Sequence, residues 1–203
     1  HCPNTGPMSG LLIKGAKTFL SKSQNKNRKL NYTWETIEIE NTLIGINTYN
    51  ANRLFYESLL LKKIPLFDKY SYIYREVKYG SNCKIDFKLK NRKKKNIWIE
   101  VKSVTLSRCK YLAEFPDTVT TRGLKQLKQL RPLLANGELV YTVFLIQRED
   151  INYFRIAKEI DPLYYQICNY NSSIGMQILV FKCILSKKSI NIDFTNKVKI
   201  IYE

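Results

Sequence analysis

The segment IDFKLKNRKKKNIWIEVKSV, residues 85–104, decides how we expect this chain to fold. Two apolar-rich runs flank a basic turn, which is the pattern of a β-hairpin. Side chains alternate between faces along a strand, so Glu100 and Lys102 point the same way. A hairpin at residues 90–96 can bring Asp86 beside them. Two carboxylates can hold Mg²⁺ or Mn²⁺, and a neighbouring ammonium can orient water or offset phosphate charge. The segment therefore predicts metal-assisted phosphodiester chemistry.

The acid-x-Lys pattern is weak evidence by itself, because it recurs at Glu76–Lys78 and Asp86–Lys88 in a lysine-rich chain. Most such pairs are exposed ion pairs that contribute little to stability. Glu100 differs because it interrupts an otherwise apolar strand, where charge is costly. Two interpretations remain, a catalytic site and a purely structural pair of strands. The hairpin register decides between them, since a slip of one residue turns Asp86 or Glu100 to the other face.

Charge is the strongest global feature of the 203-residue chain. It contains 34 lysines and arginines against 17 acidic residues, a formal net charge of +17, and its pI is near 9.6. A chain this basic favours polyanionic partners, because neutralising phosphates releases counterions. DNA is therefore the expected partner. A membrane surface, an acidic protein and simple solubility are the alternatives.

Other residue types narrow the chemistry. The sequence has no run of about 18 apolar residues, so we expect no membrane-spanning segment. Five scattered cysteines without a CxxC pair indicate reduced thiols and a cytoplasmic protein. His1 is the only histidine, which argues against a zinc site or a histidine-based triad and leaves carboxylates, lysine and a metal. Because the chain begins at His1 rather than methionine, we expect it to lack an N-terminal stretch of its gene product.

Residues 1–48 are β-rich, with short apolar runs separated by glycine and asparagine. A basic stretch at 21–31 leads into two aromatic residues. Positive charge beside exposed aromatic rings binds single strands through backbone attraction and base stacking. The alternative is a solvated hairpin loop whose rings belong to a small core. The nucleic-acid-binding residues that this segment predicts are Lys26, Arg28, Lys29, Tyr32 and Trp34.

The remainder, residues 49–203, is predicted to be an α/β domain in which a helix, three strands, a helix and a strand follow one another. The predicted helices lie at 50–63, 122–135 and from 161 to 170. The predicted strands lie at 72–79, 84–89, 97–106, 139–146 and 177–183, with short ones within 190–201. The run at 139–146 is apolar throughout, which indicates a buried central strand. Thr120 or Thr121 can cap the second helix.

The first turns of this second helix contain Arg122 and Lys125. Free backbone N–H groups at the start of a helix favour phosphate binding. We therefore include both side chains among the predicted nucleic-acid-binding residues. The alternative is an ordinary amphipathic helix with a solvated basic side.

The order of elements resembles the core of the PD-(D/E)xK nuclease superfamily, with an aspartate on one strand and Glu-x-Lys on the next. The resemblance implies that Asp86 and Glu100 ligate magnesium and that Lys102 assists the attacking water. It also implies that Glu57, on the preceding helix, can occupy a further acidic position found in some members.

Several strings together resemble the sugar fermentation stimulation protein A family. They are HCPNTG at 1–6, YTWE at 32–35, EVKYG at 76–80, IDF.L at 85–89, EVKSVTL at 100–106 and FPD.VT.RG at 115–123. The resemblance implies an N-terminal OB-like barrel, here N-terminally incomplete, followed by a nuclease-like α/β domain. It also implies DNA binding without marked sequence preference and a regulatory link to the use of sugars, notably maltose.

Three positions depart from the family pattern, with Lys84 in place of arginine, Thr121 in place of glutamate and Gln126 in place of histidine. The altered helix weakens the case for cleavage more than the case for binding. The leading hypothesis is therefore a non-specific DNA-binding protein, and the alternative is a magnesium-dependent endonuclease. An adaptor for acidic proteins is a third class.

Overall fold

The structure, a computed structural model, describes residues 1–80 and 83–202. A small N-terminal sheet precedes an α/β domain, as the sequence predicts. The N-terminal strands are β1 (Lys17–Lys22), β2 (Tyr32–Ile39) and β3 (Thr42–Gly45). The helices are α1 (Tyr49–Leu60), α2 (Thr121–Ala135) and α3 (Pro162–Ser173). The remaining strands are β4 (Tyr72–Tyr79), β5 (Cys83–Asn91), β6 (Lys94–Val104), β7 (Leu112–Phe115), β8 (Leu139–Ile146), β9 (Tyr153–Ile156), β10 (Gln177–Leu185), β11 (Ile190–Asp193) and β12 (Lys199–Ile200).

The N-terminal sheet is antiparallel, with β2 between β1 and β3. Ile37 of β2 and Ile44 of β3 pack with Met8 and Leu11 in a small core of their own. The apolar residues Leu11, Leu12 and Ile13 do not form a strand, and Leu11 instead ends a turn that its N–H closes by donating to the Met8 carbonyl. Of these three residues only Leu11 is buried, so the run contributes a single side chain to the core and not one face of a strand.

A six-stranded mixed sheet, in the order β11-β10-β8-β6-β5-β4, forms the centre of the α/β domain. β8 runs parallel to both β6 and β10. All its residues after Leu139 are buried, which confirms the central strand that the apolar run predicts. β4, β5 and β6 form an antiparallel meander at one side of the sheet. This meander carries the residues of the predicted site.

Helices cover both faces of this sheet. α1 packs on one face, where Leu54 and Phe55 contact a cluster that includes Ile99 of β6. α2 and α3 pack on the other face, where Leu127 and Leu130 belong to a second cluster. Trp98 also belongs to this second cluster, so even-numbered positions of β6 face α2. Glu100 and Lys102 therefore point towards α2 rather than into solvent.

The start of α2 is fixed by its cap. The Thr120 hydroxyl accepts a hydrogen bond from the Gly123 N–H at 3.0 Å, as capping requires. Gly123 allows a close approach, since a Cβ atom there would lie 2.9 Å from the Thr120 side chain and 3.2 Å from the Tyr164 ring. The helix therefore begins where its first turns can line the site.

A third sheet, β12-β9-β7, was not predicted from the sequence. Its strands have two to four residues, which is too short for a periodic pattern. Glu114 of β7 is buried and accepts hydrogen bonds from Arg108 at 2.7 Å and Arg155 at 2.9 Å.

Within the described ranges, no helix has the length and apolarity that crossing a membrane requires. The five cysteines are free thiols.

Candidate active site

The hairpin of β5 and β6 has the register that the site requires. Phe87 pairs with Ile99, which sets Asp86 opposite Glu100 one residue further along. The backbone N–H of Val101 donates to Asp86 Oδ2 at 2.7 Å. The Asp86 carboxylate therefore bridges to β6 just beyond the last paired residues.

β5 departs from regular alternation at Asp86. Ile85 packs in the cluster beneath α2, whereas Phe87 packs in the cluster beneath α1, although residues two apart share a face in a regular strand. On β4, Glu76 lies opposite Asp86 and has a φ of +51°, in the left-handed region. Such a backbone costs about 1–3 kcal/mol for a residue other than glycine and is concentrated at functional sites.

Glu100, Lys102 and Gln126 form a closed network. Glu100 Oε1 accepts hydrogen bonds from Lys102 Nζ and from Gln126 Nε2, both at 2.7 Å, and Lys102 Nζ donates to Gln126 Oε1 at 2.9 Å. Glu100 is only 4 % exposed. Its second oxygen, Oε2, is buried and has no hydrogen-bond partner within the described residues. A buried carboxylate oxygen without a donor is costly, and it is a position that a cation can satisfy.

Asp86 is held from two sides and sits in an unfavourable electrostatic position. Asn52 of α1 donates to its Oδ1 at 2.7 Å, and Val101 donates to its Oδ2. Burial and then repulsion from Glu100 raise the pKa of Asp86 from an ordinary 3.8 to about 7. The Val101 N–H, Lys102 and Asn52 lower the pKa, but they do not offset the two larger effects. The negative charge of the Asp86 and Glu100 carboxylates is therefore not fully compensated by the groups around them.

A cavity of about 880 Å³ opens over this pair. It is walled by β5, β6 and the first turns of α2, and Asn52 and Glu76 lie at one side. Three exposed cations line it, and none of them forms an ion pair within the part of the chain that the structure describes: Lys84, Arg122 and Lys125. Two of these are the cations that the sequence predicts on α2. The structure thus joins them to Asp86, Glu100 and Lys102 in one cleft.

Glu57 does not reach this cleft. It is exposed and is not among the residues that line the cavity. Five residues separate it from Asn52, which at about 100° per residue puts the two side chains about 140° apart around α1. Asn52 instead occupies the position on this helix next to Asp86. The sequence singled out Glu57 only because it is an acidic residue on α1. It gave no reason to choose Asn52, whose side chain is an uncharged amide.

The predicted basic loop also lies apart from the cleft. Lys26 and Lys29 are exposed, whereas Arg28 donates to the Thr33 hydroxyl at 3.0 Å. Tyr32 is 51 % exposed. Trp34 packs on the small N-terminal core and donates through Nε1 to the Thr36 carbonyl. The Trp34 ring therefore belongs to the small N-terminal core, which is the alternative to base stacking given for this segment.

The donor set is compatible with a hard divalent cation. Asp86 and Glu100 supply carboxylate oxygens, and one of these oxygens has no donor among the residues that the structure describes. Within residues 1–80 and 83–202 no group of three or more histidine, cysteine or acidic side chains converges. Magnesium is commonly held by one or two carboxylates together with water and substrate phosphates, so two carboxylates suffice.

The fold defines a class of protein in which a small N-terminal strand domain precedes an α/β domain with a mixed six-stranded sheet. The chain belongs to the sugar fermentation stimulation protein family. Residues 1–46 match the SfsA N-terminal OB domain and residues 49–189 match the sugar fermentation stimulation protein RE domain. These matches confirm both the predicted resemblance and the predicted fold class.

Individual relatives agree with this assignment. The sugar fermentation stimulation protein homolog of Pelagibacter ubique is 40 % identical over 201 residues, which cover 99 % of this chain and 85 % of the relative. The homolog of Rhodospirillum centenum is 42 % identical over 195 residues, covering 96 % and 84 %. The structure of Pyrococcus furiosus SfsA in complex with Ca²⁺ superposes with a TM-score of 0.89 at 21 % identity, covering 99 % of this chain and 84 % of that one.

Proposed function

We propose that this protein binds DNA with little sequence preference and hydrolyses its phosphodiester bonds with the help of a divalent cation. The observation that carries the proposal is the convergence of Asp86, Glu100 and Lys102 in one cationic cleft, where Glu100 Oε2 is buried and finds no donor in residues 1–80 and 83–202. In a purely structural pair of strands, a buried carboxylate oxygen is expected to have a hydrogen-bond donor.

Asp86 and Glu100 are the residues that would hold Mg²⁺ or Mn²⁺. When bound, such a cation lowers the pKa of water and offsets negative charge on a phosphate. Pyrococcus furiosus SfsA, which has the same fold, was solved in complex with Ca²⁺, a cation of this hard class. Asn52 fixes the orientation of the Asp86 carboxylate from the opposite side.

Lys102 and the start of α2 act on the substrate. The ammonium of Lys102 is held by Glu100 and Gln126, so its position beside the cleft is defined before a phosphate arrives. Such a preorganised charge can stabilise negative charge that develops during cleavage. Arg122 and Lys125 lie on the first turns of α2, where backbone N–H groups also favour anions. These are contacts to phosphate, which position a nucleic acid without reading its sequence.

DNA binding without cleavage, in a regulatory role in sugar (maltose) metabolism, is the second candidate. One observation favours this candidate: Glu100 and Gln126 both accept hydrogen bonds from the Lys102 ammonium and are joined to each other in a closed network. A lysine engaged in this way is less free to assist an attacking water. Both functions predict the same phosphate-led, salt-dependent binding.

The two candidates are separated by incubating supercoiled plasmid and single-stranded circular DNA with the purified protein in Mg²⁺, Mn²⁺ or EDTA. We expect nicking only with a divalent cation, and we expect E100Q and K102A to bind DNA but not to nick it. E57Q makes the same chemical change as E100Q outside the cleft, so it should nick like the wild type. Nicking that is equal in wild type and E100Q would contradict the proposed site. Binding without nicking by the wild type would favour the second candidate.

A further inference from the structure

A second large cavity lies beside the cleft, between the two domains. It has a volume of about 830 Å³ and forms a groove, which we call the interdomain groove. One wall consists of β1 and β2, and the other consists of the start of α1, β4 and the turn between β10 and β11. Asn52 and Glu76 line both cavities. The groove is therefore continuous with the cleft that holds Asp86 and Glu100.

The charge of this groove is largely uncompensated. Arg53, Arg75, Lys187 and Lys188 line it, and none of the four forms an ion pair within residues 1–80 and 83–202. Arg148, in contrast, pairs with Asp150 at 2.6 Å. Four cations without ion-pair partners in one groove give it a positive potential that favours the binding of phosphates.

One of the two acidic residues in the groove is already satisfied. Glu35 accepts hydrogen bonds from Ser21 at 2.7 Å, from Asn47 at 3.0 Å and from Asn50 at 3.1 Å. Its carboxylate thus connects β1, β2 and the start of α1 rather than pairing with a groove cation. The other acid, Glu76, lies at the junction with the cleft. The four cations are consequently left for a ligand.

Aromatic groups accompany these charges. The Arg75 guanidinium lies 4.6 Å from the centroid of the Tyr56 ring, and that ring stacks on Phe87 at 6.0 Å with an interplanar angle of 13°. Phe87 is part of the core, so this stack holds Arg75 in place along the groove wall. Tyr49, on the first turn of α1, is 71 % exposed. Phe19 of β1 lines the opposite wall.

We propose that the interdomain groove binds the single-stranded stretch of nucleic acid that adjoins the phosphate in the cleft. This inference rests on the proposed function, because the cleft determines where the strand enters the groove. Single strands are held by a basic groove that follows the backbone and by exposed rings on which unpaired bases stack. The groove provides both. In a duplex the bases face their partners, so Tyr49 and Phe19 would have no free base to stack on.

The proposal differs from what the sequence suggests about strand binding. The basic loop with Lys26 and Lys29 does not line the groove. The groove draws its cations instead from α1, from β4 and from the β10–β11 turn, which are far apart in the sequence. They become one surface only in the folded chain.

The test is a matched pair of double variants of the full chain. K187A/K188A removes two exposed lysines from a hairpin turn that lines the groove. K93A/K94A removes two exposed lysines from the β5–β6 hairpin turn, which lies about 20 Å along the strands from Asp86. Both change the net charge equally and remove lysines from an exposed turn. R53Q/R75Q is a further variant on the α/β wall.

Binding is measured by fluorescence anisotropy in EDTA, with labelled oligo-dT, oligo-rU and a duplex of the same length. We expect K187A/K188A to weaken oligo-dT binding about tenfold and to flatten the salt dependence by about 1.4 in log–log slope, as two lost phosphate contacts should. K93A/K94A should change the affinity less than about twofold. R53Q/R75Q should behave like K187A/K188A. Tighter binding of oligo-dT or of oligo-rU then identifies DNA or RNA as the strand.

Each failure has a different meaning. If both lysine pairs weaken binding equally, the attraction is general and the groove is not the site, although the proposed function stands. If the duplex binds as tightly as oligo-dT, the single-strand assignment is wrong. If the wild type binds none of the three probes in a salt-dependent manner, the proposed function itself fails.

Discussion

Replacing Asp86 with asparagine should change how the stability of the protein depends on pH. In the wild type, burial and repulsion from Glu100 raise the pKa of Asp86 to about 7. Between its ordinary pKa of 3.8 and this value, the folded protein binds the proton more tightly than the unfolded chain does. The free energy of unfolding of the wild type should therefore fall as pH rises through this window. D86N has no proton to lose there, so it should not show this loss.

The size of the effect follows from the two pKa values. A carboxyl group that titrates at about 7 when folded and near 3.8 when unfolded loses roughly 2–3 kcal/mol of stability from about pH 5 to about pH 8. The oxygen of the new asparagine can accept from the Val101 N–H, and its NH2 group can donate to the side-chain oxygen of Asn52 once the Asn52 amide has turned over. Relative to wild type, D86N should thus gain roughly 2–3 kcal/mol as the pH rises from about 5 to about 8.

Urea denaturation in EDTA at both pH values measures this difference, with D68N as the control. Asp68 is exposed, so D68N should follow the wild type at both pH values. Adding Mg²⁺ at the higher pH should stabilise the wild type and leave D86N unchanged, because a ligand of the folded state raises its stability. A difference between D86N and wild type that does not vary with pH would refute the electrostatic description of the carboxylate pair.

Two further predictions concern the scaffold around the cleft. E114Q should lower the free energy of unfolding by about 3 kcal/mol in urea denaturation, because it leaves Arg108 and Arg155 without their buried carboxylate partner; a loss below about 1 kcal/mol would show that the pair is not structural. T120A should lower the stability by about 1 kcal/mol in thermal denaturation, since the Gly123 N–H loses its acceptor. G123A should cost at least as much, because its Cβ would crowd the Thr120 side chain; a G123A protein as stable as wild type would contradict that close contact.

Most of the α/β domain could be predicted from local patterns. The strand at 139–146 was located because all its residues but one are buried, which makes the run uniformly apolar. The second helix was located because its cap, its apolar stripe and its terminal Asn136-Gly137 agree with one another. In contrast, β7 and β9 have four residues each and lie in mixed sequence, so their pairing depends on tertiary contacts that no local pattern reports.

The candidate site was predictable only in part. Asp86, Glu100 and Lys102 were identifiable because charges stand out in apolar strands. Asn52 was not, since an amide on a helix has many possible roles and its contact with Asp86 spans 34 residues of sequence. The break in alternation at Asp86, where Ile85 and Phe87 pack in different clusters, was also hidden, because the apolar pattern of β5 does not report it. The interdomain groove could not be predicted either, because its residues are far apart in the sequence and meet only in the folded chain.

The central claim is that Asp86 and Glu100 form a site for a divalent cation. Titration of the purified protein with Mn²⁺, followed by calorimetry and by the electron paramagnetic resonance of free Mn²⁺, tests it without any substrate. We expect one ion to bind per chain, more tightly as the pH rises through about 7, since Asp86 must lose its proton to act as a ligand. D86N and E100Q should lose this binding, whereas E57Q should retain it. Equal Mn²⁺ binding by wild type, D86N and E100Q would contradict the account.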